Sequence, residues 1–214
     1  MLKAVVFDLD GTVIDSTEAI VASSFHAFDA VGAPRPDRER IVDVIGLPLE
    51  AGLGELFGRD ITDLVPIYRE HYRAHACQKT HLLPHVETTL SALHAAGLKI
   101  GFATSKKREM SKMLLEHLGV LHYFSSHVGP DEVARPKPDP DAMYVSMAAL
   151  GVSAEEMAFV GDMDFDVKAA HAAGVRSIAV ATGYMSREQL AALGPEAVFD
   201  DLGPLAGYLL NGSA

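Results

Sequence analysis

The chain has 214 residues, 49% hydrophobic and 22% charged, a balance that suits a globular protein and excludes collagen, a disordered tail and a small disulfide scaffold. Its 29 acidic against 18 basic residues give a formal charge of −11, which repels polyanions and argues against a nucleic-acid partner. The single cysteine, Cys77, cannot form an internal disulfide and fits a reducing compartment.

The N-terminal stretch, Met1 to Thr12, reaches acidic residues after a short apolar run. It has neither the long apolar segment nor the small-residue cleavage site of a secretory signal. No stretch approaches the roughly 18 apolar residues needed to cross a bilayer, so the expected location is cytoplasmic, without a membrane. Lys3 to Phe7 reads as a first strand buried on both faces.

From Ser16 to Leu82 the pattern is helical throughout. Val21, Phe25 and Phe28 mark one amphipathic face and Ile61, Leu64, Val65, Tyr68 and Tyr72 another, with shorter helical pieces near Asp37 to Val44 and Glu50 to Phe57. Four helices can bury a small core of their own. Beyond them, Leu98 to Ala103, Met157 to Val160 and Ser177 to Ala181 read as buried strands, with Phe124 to Val128 weaker and Ala197 to Phe199 at an edge. The helix faces Val86/Leu90/Leu93, Met110/Met113/Leu114/Leu118 and Met143/Met147/Leu150 alternate with them, and Gly97, Gly119, Gly151 and Gly174 read as helix stops. This alternation predicts an α/β fold, a Rossmann-like parallel sheet over 1–15 and 83–214, with an all-helical domain inserted at 16–82. Val13 to Ser16 and Lys79 to His85 are the expected hinges.

Ligands of an open parallel sheet bind beyond the carboxyl ends of its strands. Here those ends carry Asp8 and Asp10, then Thr104 and Ser105, then Asp162 with Asp164 and Asp166. Carboxylates gathered in one crevice hold protons unless a cation is present, and an all-oxygen set suits Mg²⁺ before Ca²⁺ or Mn²⁺. Phosphate is the natural substrate of such a site, because the metal bridges carboxylates to phosphoryl oxygens that they would otherwise repel. It also needs a fixed cation. Lys137, between Pro136 and Pro138, has the restrained backbone for that task.

These segments resemble, in order and spacing, the four motifs of the haloacid dehalogenase superfamily in its phosphatase branch: Asp8-Leu9-Asp10-Gly11-Thr12, Thr104-Ser105, Lys137, and Gly161 to Asp166. The resemblance spans nearly the whole chain, and the helical insertion matches that family's cap. It implies that Asp8 is a nucleophile forming an aspartyl-phosphate, and that Asp10 is the general acid and then the base. Thr104 and the Ser105 amide would hold phosphoryl oxygens while Lys137 neutralises charge. Mg²⁺ would be held by Asp162, the Asp8 carboxylate and the Asp10 carbonyl, with Asp166 orienting a metal water or Lys137.

An acid at position 10 also disfavours a dehalogenase, since a halide leaves without a proton. The resemblance is greatest to the phosphoglycolate phosphatase-like branch, through Gly46-Leu47-Pro48-Leu49, Tyr68 to Tyr72 and Thr182-Gly183-Tyr184, with two departures: His85 where Gly is usual and Met163 where Ser or Thr is usual. It implies a small phosphorylated metabolite as partner and a monomer or homodimer. A β-phosphoglucomutase-like mutase ranks second and a catalytically idle phosphate-binding protein third. Residues 16–78 contain no lysine, which removes a phosphonoacetaldehyde hydrolase. His71 and His75, four apart, have a zinc-compatible spacing with His81 and His85 nearby, but read better as a solvated face. Arg35, Arg38 and Leu47 to Leu49 are the candidate substrate contacts in the cap, and the cap aromatics Phe25, Phe28, Tyr68 and Tyr72 read as helix-pair core.

Overall fold

The computed structural model describes residues 1–58 and 60–211; Arg59 of the insertion and the final three positions of the 83–214 segment lie outside the described residues. The strands are β1 (Ala4–Phe7), β2 (Ile14–Asp15), β3 (His81–Leu82), β4 (Lys99–Ala103), β5 (Phe124–Val128), β6 (Met157–Gly161), β7 (Arg176–Val180) and β8 (Ala197–Phe199). Six of them form a sheet in the order β5-β4-β1-β6-β7-β8, every pairing parallel. That is the doubly wound arrangement, whose topological switch lies between β1 and β6. Register places Phe7 level with Phe102 on one side and Val160 on the other, so Asp8, Thr104 and Asp162 all emerge at one sheet edge.

The period-2 alternation of β1 sets the two layers. Val5 and Phe7 face a core shared with Val86, Leu90, Leu114 and Leu205. Those residues lie on α5 (Val86–Ala95), α6 (Arg108–His117) and α10 (Leu205–Asn211). Ala4 and Val6 face the other side, against Met143 and Leu150 of α7 (Asp141–Leu150) and Ala170 of α8 (Asp164–Ala172). A short α9 (Arg187–Ala191) covers β7 with Leu190. Phe7, Phe102 and Phe159 are among the largest fully buried side chains, each contributing roughly 1.5–3 kcal/mol on burial.

Between β2 and β3 the chain runs through α1 (Thr17–Ala30), α2 (Arg38–Asp43), α3 (Leu49–Phe57) and α4 (Leu64–Lys79). The fold is therefore the expected Rossmann-like sheet with an inserted helical cap. Ile61 falls just before α4, whose first turn tolerates Pro66 because no intrahelical N–H bond is needed there. Ile14 and Asp15 pair antiparallel with Leu82 and His81, forming a two-stranded ribbon where the chain passes between cap and sheet. Two-residue strands are too short to leave a periodic signal, so sequence showed only hinges there. His85 has a positive φ of 64°, which explains why glycine is usual at its place. Its ring lies 3.7 Å from Asp201. Among the described residues no helix is long and apolar enough to cross a membrane.

Candidate active site

Asp8 is the first residue beyond β1, and its amide still donates to the Val160 carbonyl at 2.8 Å. The chain then folds back on itself, with Gly11 at φ +83° and the Gly11 amide bonded to the Ile14 carbonyl at 2.9 Å. Two constraints fix glycine at this turn: the left-handed backbone, and the carboxylate of Asp162, whose Oδ2 would lie 2.3 Å from an added Cβ. The neighbouring Thr12 hydroxyl donates to Asp162 Oδ1 at 2.8 Å, tying the β1 turn to the end of β6. Thr104 is likewise held at the end of β4, its amide bonded to the Val128 carbonyl at 3.0 Å.

The Lys137 side chain is buried, 4% exposed. Its ammonium donates to Asp166 Oδ1 at 2.6 Å and to the Ala103 carbonyl at 3.2 Å, and it lies 3.0 Å from Asp8 Oδ1 as an ion pair. Asp166 accepts at its other oxygen from the Met163 amide at 3.1 Å, which fixes it at the start of α8. The cation thus joins two acids that are 158 positions apart in sequence.

Asp8, Asp162 and Asp166 each offer an oxygen within 4.8 Å of the others, all buried. Burial and the neighbouring acids push Asp8 up to about 7 against the pull of Lys137, and they push Asp162 well above the ordinary carboxylate range. Asp162 Oδ2 is buried with no hydrogen-bond partner among the described residues. Crowded acids, an orphaned carboxylate oxygen and an oxygen-only donor set together fit a hard divalent cation. Asp164 is not part of this group; it pairs with Lys168 on the exposed face of α8.

The Asp10 carboxylate also stands apart from the acidic triad. It accepts from the Ser16 hydroxyl at Oδ1, and the Lys106 ammonium is 3.1 Å from Oδ2. Lys106 further donates to the Tyr72 hydroxyl at 2.9 Å, so one ammonium bridges sheet and cap. Its side chain is only 12% exposed, and attraction to Asp10, Tyr72 and Tyr68 holds it charged despite burial. Lys106 belongs to none of the sequence motifs above, and the helical spacing of Tyr72 is that of a helix-pair core residue. The available signal was position: Lys106 directly follows Thr104-Ser105 beyond a parallel strand.

A cavity of about 370 Å³ opens from Asp8, Asp10, Thr104 and Ser105 toward the cap. Its far wall includes Ile45 to Leu49, with Tyr68, Tyr72 and Arg69. Gly46 has φ +97°, and an added Cβ would sit 2.5 Å from the Phe165 ring, so the cap loop rests directly on α8. Leu47 to Leu49 line the cavity as expected. Arg35 and Arg38 are absent from its lining and pair instead with Asp29 and Glu18 on the surface. The four histidines do not converge either. His71 stacks with His26 on one side and with His75 on the other, whereas His81 faces Asp15 and His85 faces Asp201.

A family model described as haloacid dehalogenase-like hydrolase matches residues 5–180. The phosphoglycolate phosphatase of Salmonella paratyphi A is 33% identical, over 95% of this chain and 91% of its own. That of Vibrio cholerae is 32% identical, over 98% and 97%. Among solved structures, a predicted phosphoglycolate phosphatase from Haemophilus somnus superposes with a TM-score of 0.89 at 25% identity, covering 97% of this chain and 98% of that one.

Proposed function

The chain belongs to the haloacid dehalogenase-like hydrolase family and is a phosphoric monoester hydrolase, and from that premise we propose that it hydrolyses a small phosphomonoester, phosphoglycolate first, through an aspartyl-phosphate on Asp8. The observation that carries this reading is the placement of Asp8 at the floor of the cavity, paired with Lys137 and next to a second acid, Asp10, that has its own partners.

The Asp8 carboxylate attacks phosphorus in line, forming a P–O bond to Asp8 as the ester P–O bond breaks. Asp10 delivers a proton to the departing alkoxide, then takes one from the water that attacks the phosphoryl-aspartate, releasing inorganic phosphate and restoring Asp8. Thr104 and Ser105 hold phosphoryl oxygens, and Lys137 balances their charge in a site already shielded from water. Ser16 keeps the Asp10 carboxyl turned toward the leaving group rather than toward the triad. Asp8 and Asp162, with the Asp10 carbonyl and with Asp166 behind them, are the residues that would hold Mg²⁺. When bound, the ion withdraws charge from the phosphoryl oxygens and removes their repulsion from the acids. Residues 16–82 act as the cap, opening and closing about the segments 13–16 and 79–85 to exchange substrate and exclude bulk water.

The test is phosphate release from a panel holding phosphoglycolate, pyrophosphate, nucleotides and hexose phosphates, with and without Mg²⁺. Mg²⁺-dependent release led by phosphoglycolate is the expected outcome. Isomer formation from β-glucose 1-phosphate would assign a mutase, and no release from any member by folded, metal-supplied protein would leave a phosphate-binding protein.

A further inference from the structure

The basic side chains lining the cavity differ in how they are engaged. Arg69 pairs with Glu50, Arg73 lies 3.8 Å from Glu109 and Lys107 lies 3.8 Å from Asp131, with the three cationic side chains 40%, 67% and 49% exposed. Charges so hydrated discriminate weakly between ligands. Lys106 is different. It is desolvated, it lies at the junction of sheet and cap, and its ammonium donates to the Tyr72 hydroxyl at 2.9 Å and lies 3.1 Å from Asp10 Oδ2, so that no more than two of its three N–H donors face these partners. Lys137, the other buried cation here, already has three protein oxygens around its ammonium, from Asp8, Asp166 and the Ala103 carbonyl.

We infer that Lys106, with the Tyr72 hydroxyl beside it, is a specificity-determining residue that binds a second anionic group of the substrate, a carboxylate on the carbon that bears the ester oxygen. Lys106 directly follows the two residues that hold the phosphoryl group, and it touches the acid that serves the leaving oxygen. A group one carbon beyond that oxygen therefore meets the Lys106 ammonium before any other cation of the cavity. One ammonium and one hydroxyl match a monoanionic carboxylate; a second phosphate would call for more donors than these two supply. The surface as a whole repels anions at a net charge of −11, so the attraction has to be local and buried to count. The inference rests on the phosphomonoesterase reading above and names the part of the substrate that reading leaves open.

The experiment compares kcat and KM for phosphoglycolate and for ethyl phosphate, in which a methyl replaces the carboxylate, using the wild-type chain, Lys106→Met, Lys106→Gln and Lys106→Arg. The wild-type preference for phosphoglycolate is expected to fall by about 10- to 100-fold in both neutral variants and to be largely kept in Lys106→Arg. A role confined to holding Asp10 would lower both substrates alike, and an unchanged ratio therefore overturns the proposal. So does a wild-type enzyme that turns over both esters equally well. If the wild-type chain releases phosphate from neither ester nor from any other member of the panel, the phosphatase reading itself has failed, and the role of Lys106 falls with it. Circular dichroism and thermal melting of each variant separate loss of fold from loss of discrimination.

Discussion

The ammonium of Lys137 lies 3.0 Å from Asp8 Oδ1, with both side chains only 4% exposed. A buried pair of this kind is costly to break from one side, because the remaining charge loses its partner without gaining water. Lys137→Met leaves Asp8 and Asp166 facing each other and is expected to lower stability by about 3–5 kcal/mol as well as abolishing turnover. Asp8→Asn removes a desolvated acid rather than its counter-charge. It should keep the fold while lowering kcat by about 10³-fold or more. Paired melting curves and phosphate-release assays check both variants, and an active Asp8→Asn protein would defeat the nucleophilic role.

The metal site and pH are linked through the same acids. Asp8 is raised from 3.8 to about 7, chiefly by burial, so without metal the folded chain keeps a proton there that the unfolded chain releases near pH 4. The folded state binds more protons across that window, and this contribution to stability declines as pH rises from about 4 to 7. A divalent cation competes with that proton. The rise in Tm on adding Mg²⁺ is expected to be larger at pH 7.5 than at pH 5.5 and to shrink in Asp162→Asn. Scanning fluorimetry with and without EDTA measures it; a shift independent of pH in the wild type would speak against the triad as the binding site.

Much of this site was legible because a parallel sheet delivers its strand ends to one edge: Asp8, Thr104 and Asp162 follow directly from locating three apolar runs. Lys137 was legible from its flanking prolines, though its burial was not. What stayed hidden depends on contacts between distant segments. Tyr72 has the helical spacing of a core residue and is buried like one, yet its hydroxyl meets Lys106 from the sheet domain. The separation of Asp10 from the other acids is set by Ser16 and Lys106, neither of which carries a sequence signature for that task. His85 is the converse case, where a departure from the family pattern became intelligible once its positive φ was known.

Gly46 and Phe165 define how closely cap and core approach. A methyl group at position 46 would fall 2.5 Å from the ring, and φ +97° disfavours any side chain there. Phe165 belongs to the first turn of α8, and the Lys137 ammonium lies 5.5 Å from its ring centroid, so the ring is not free to swing away without disturbing the Lys137 pair. Gly46→Ala should therefore hold the cap loop off the core, lowering kcat/KM by about 10-fold or more and lowering Tm by roughly a few degrees. Leu47→Ala in the same loop removes contact area without strain and serves as the comparison. Equal effects of the two substitutions would mean that the loop acts only as a wall of the cavity.

His26, His71 and His75 stack along the seam between α1 and α4, with ring centroids 4.3 and 4.2 Å apart. Ser23 Oγ lies 3.0 Å from His71 Nδ1, and His75 Nδ1 contacts the His71 carbonyl at 2.8 Å. Burial first, and then the positive charge of His26, His75 and Lys79, hold His71 below its ordinary value of 6.5. A histidine depressed in the folded state takes up its proton more readily when unfolded, so stability is lost as pH falls through the unfolded value. The wild-type chain should lose more Tm between pH 7.5 and 5.5 than His71→Gln, whose amide cannot charge. Because the stack lies within the cap and away from Asp8 and Lys137, kcat at pH 7.5 should be the same in both proteins. A variant as acid-sensitive as the wild type would show that the stacked rings take up protons without cost to the α1–α4 seam.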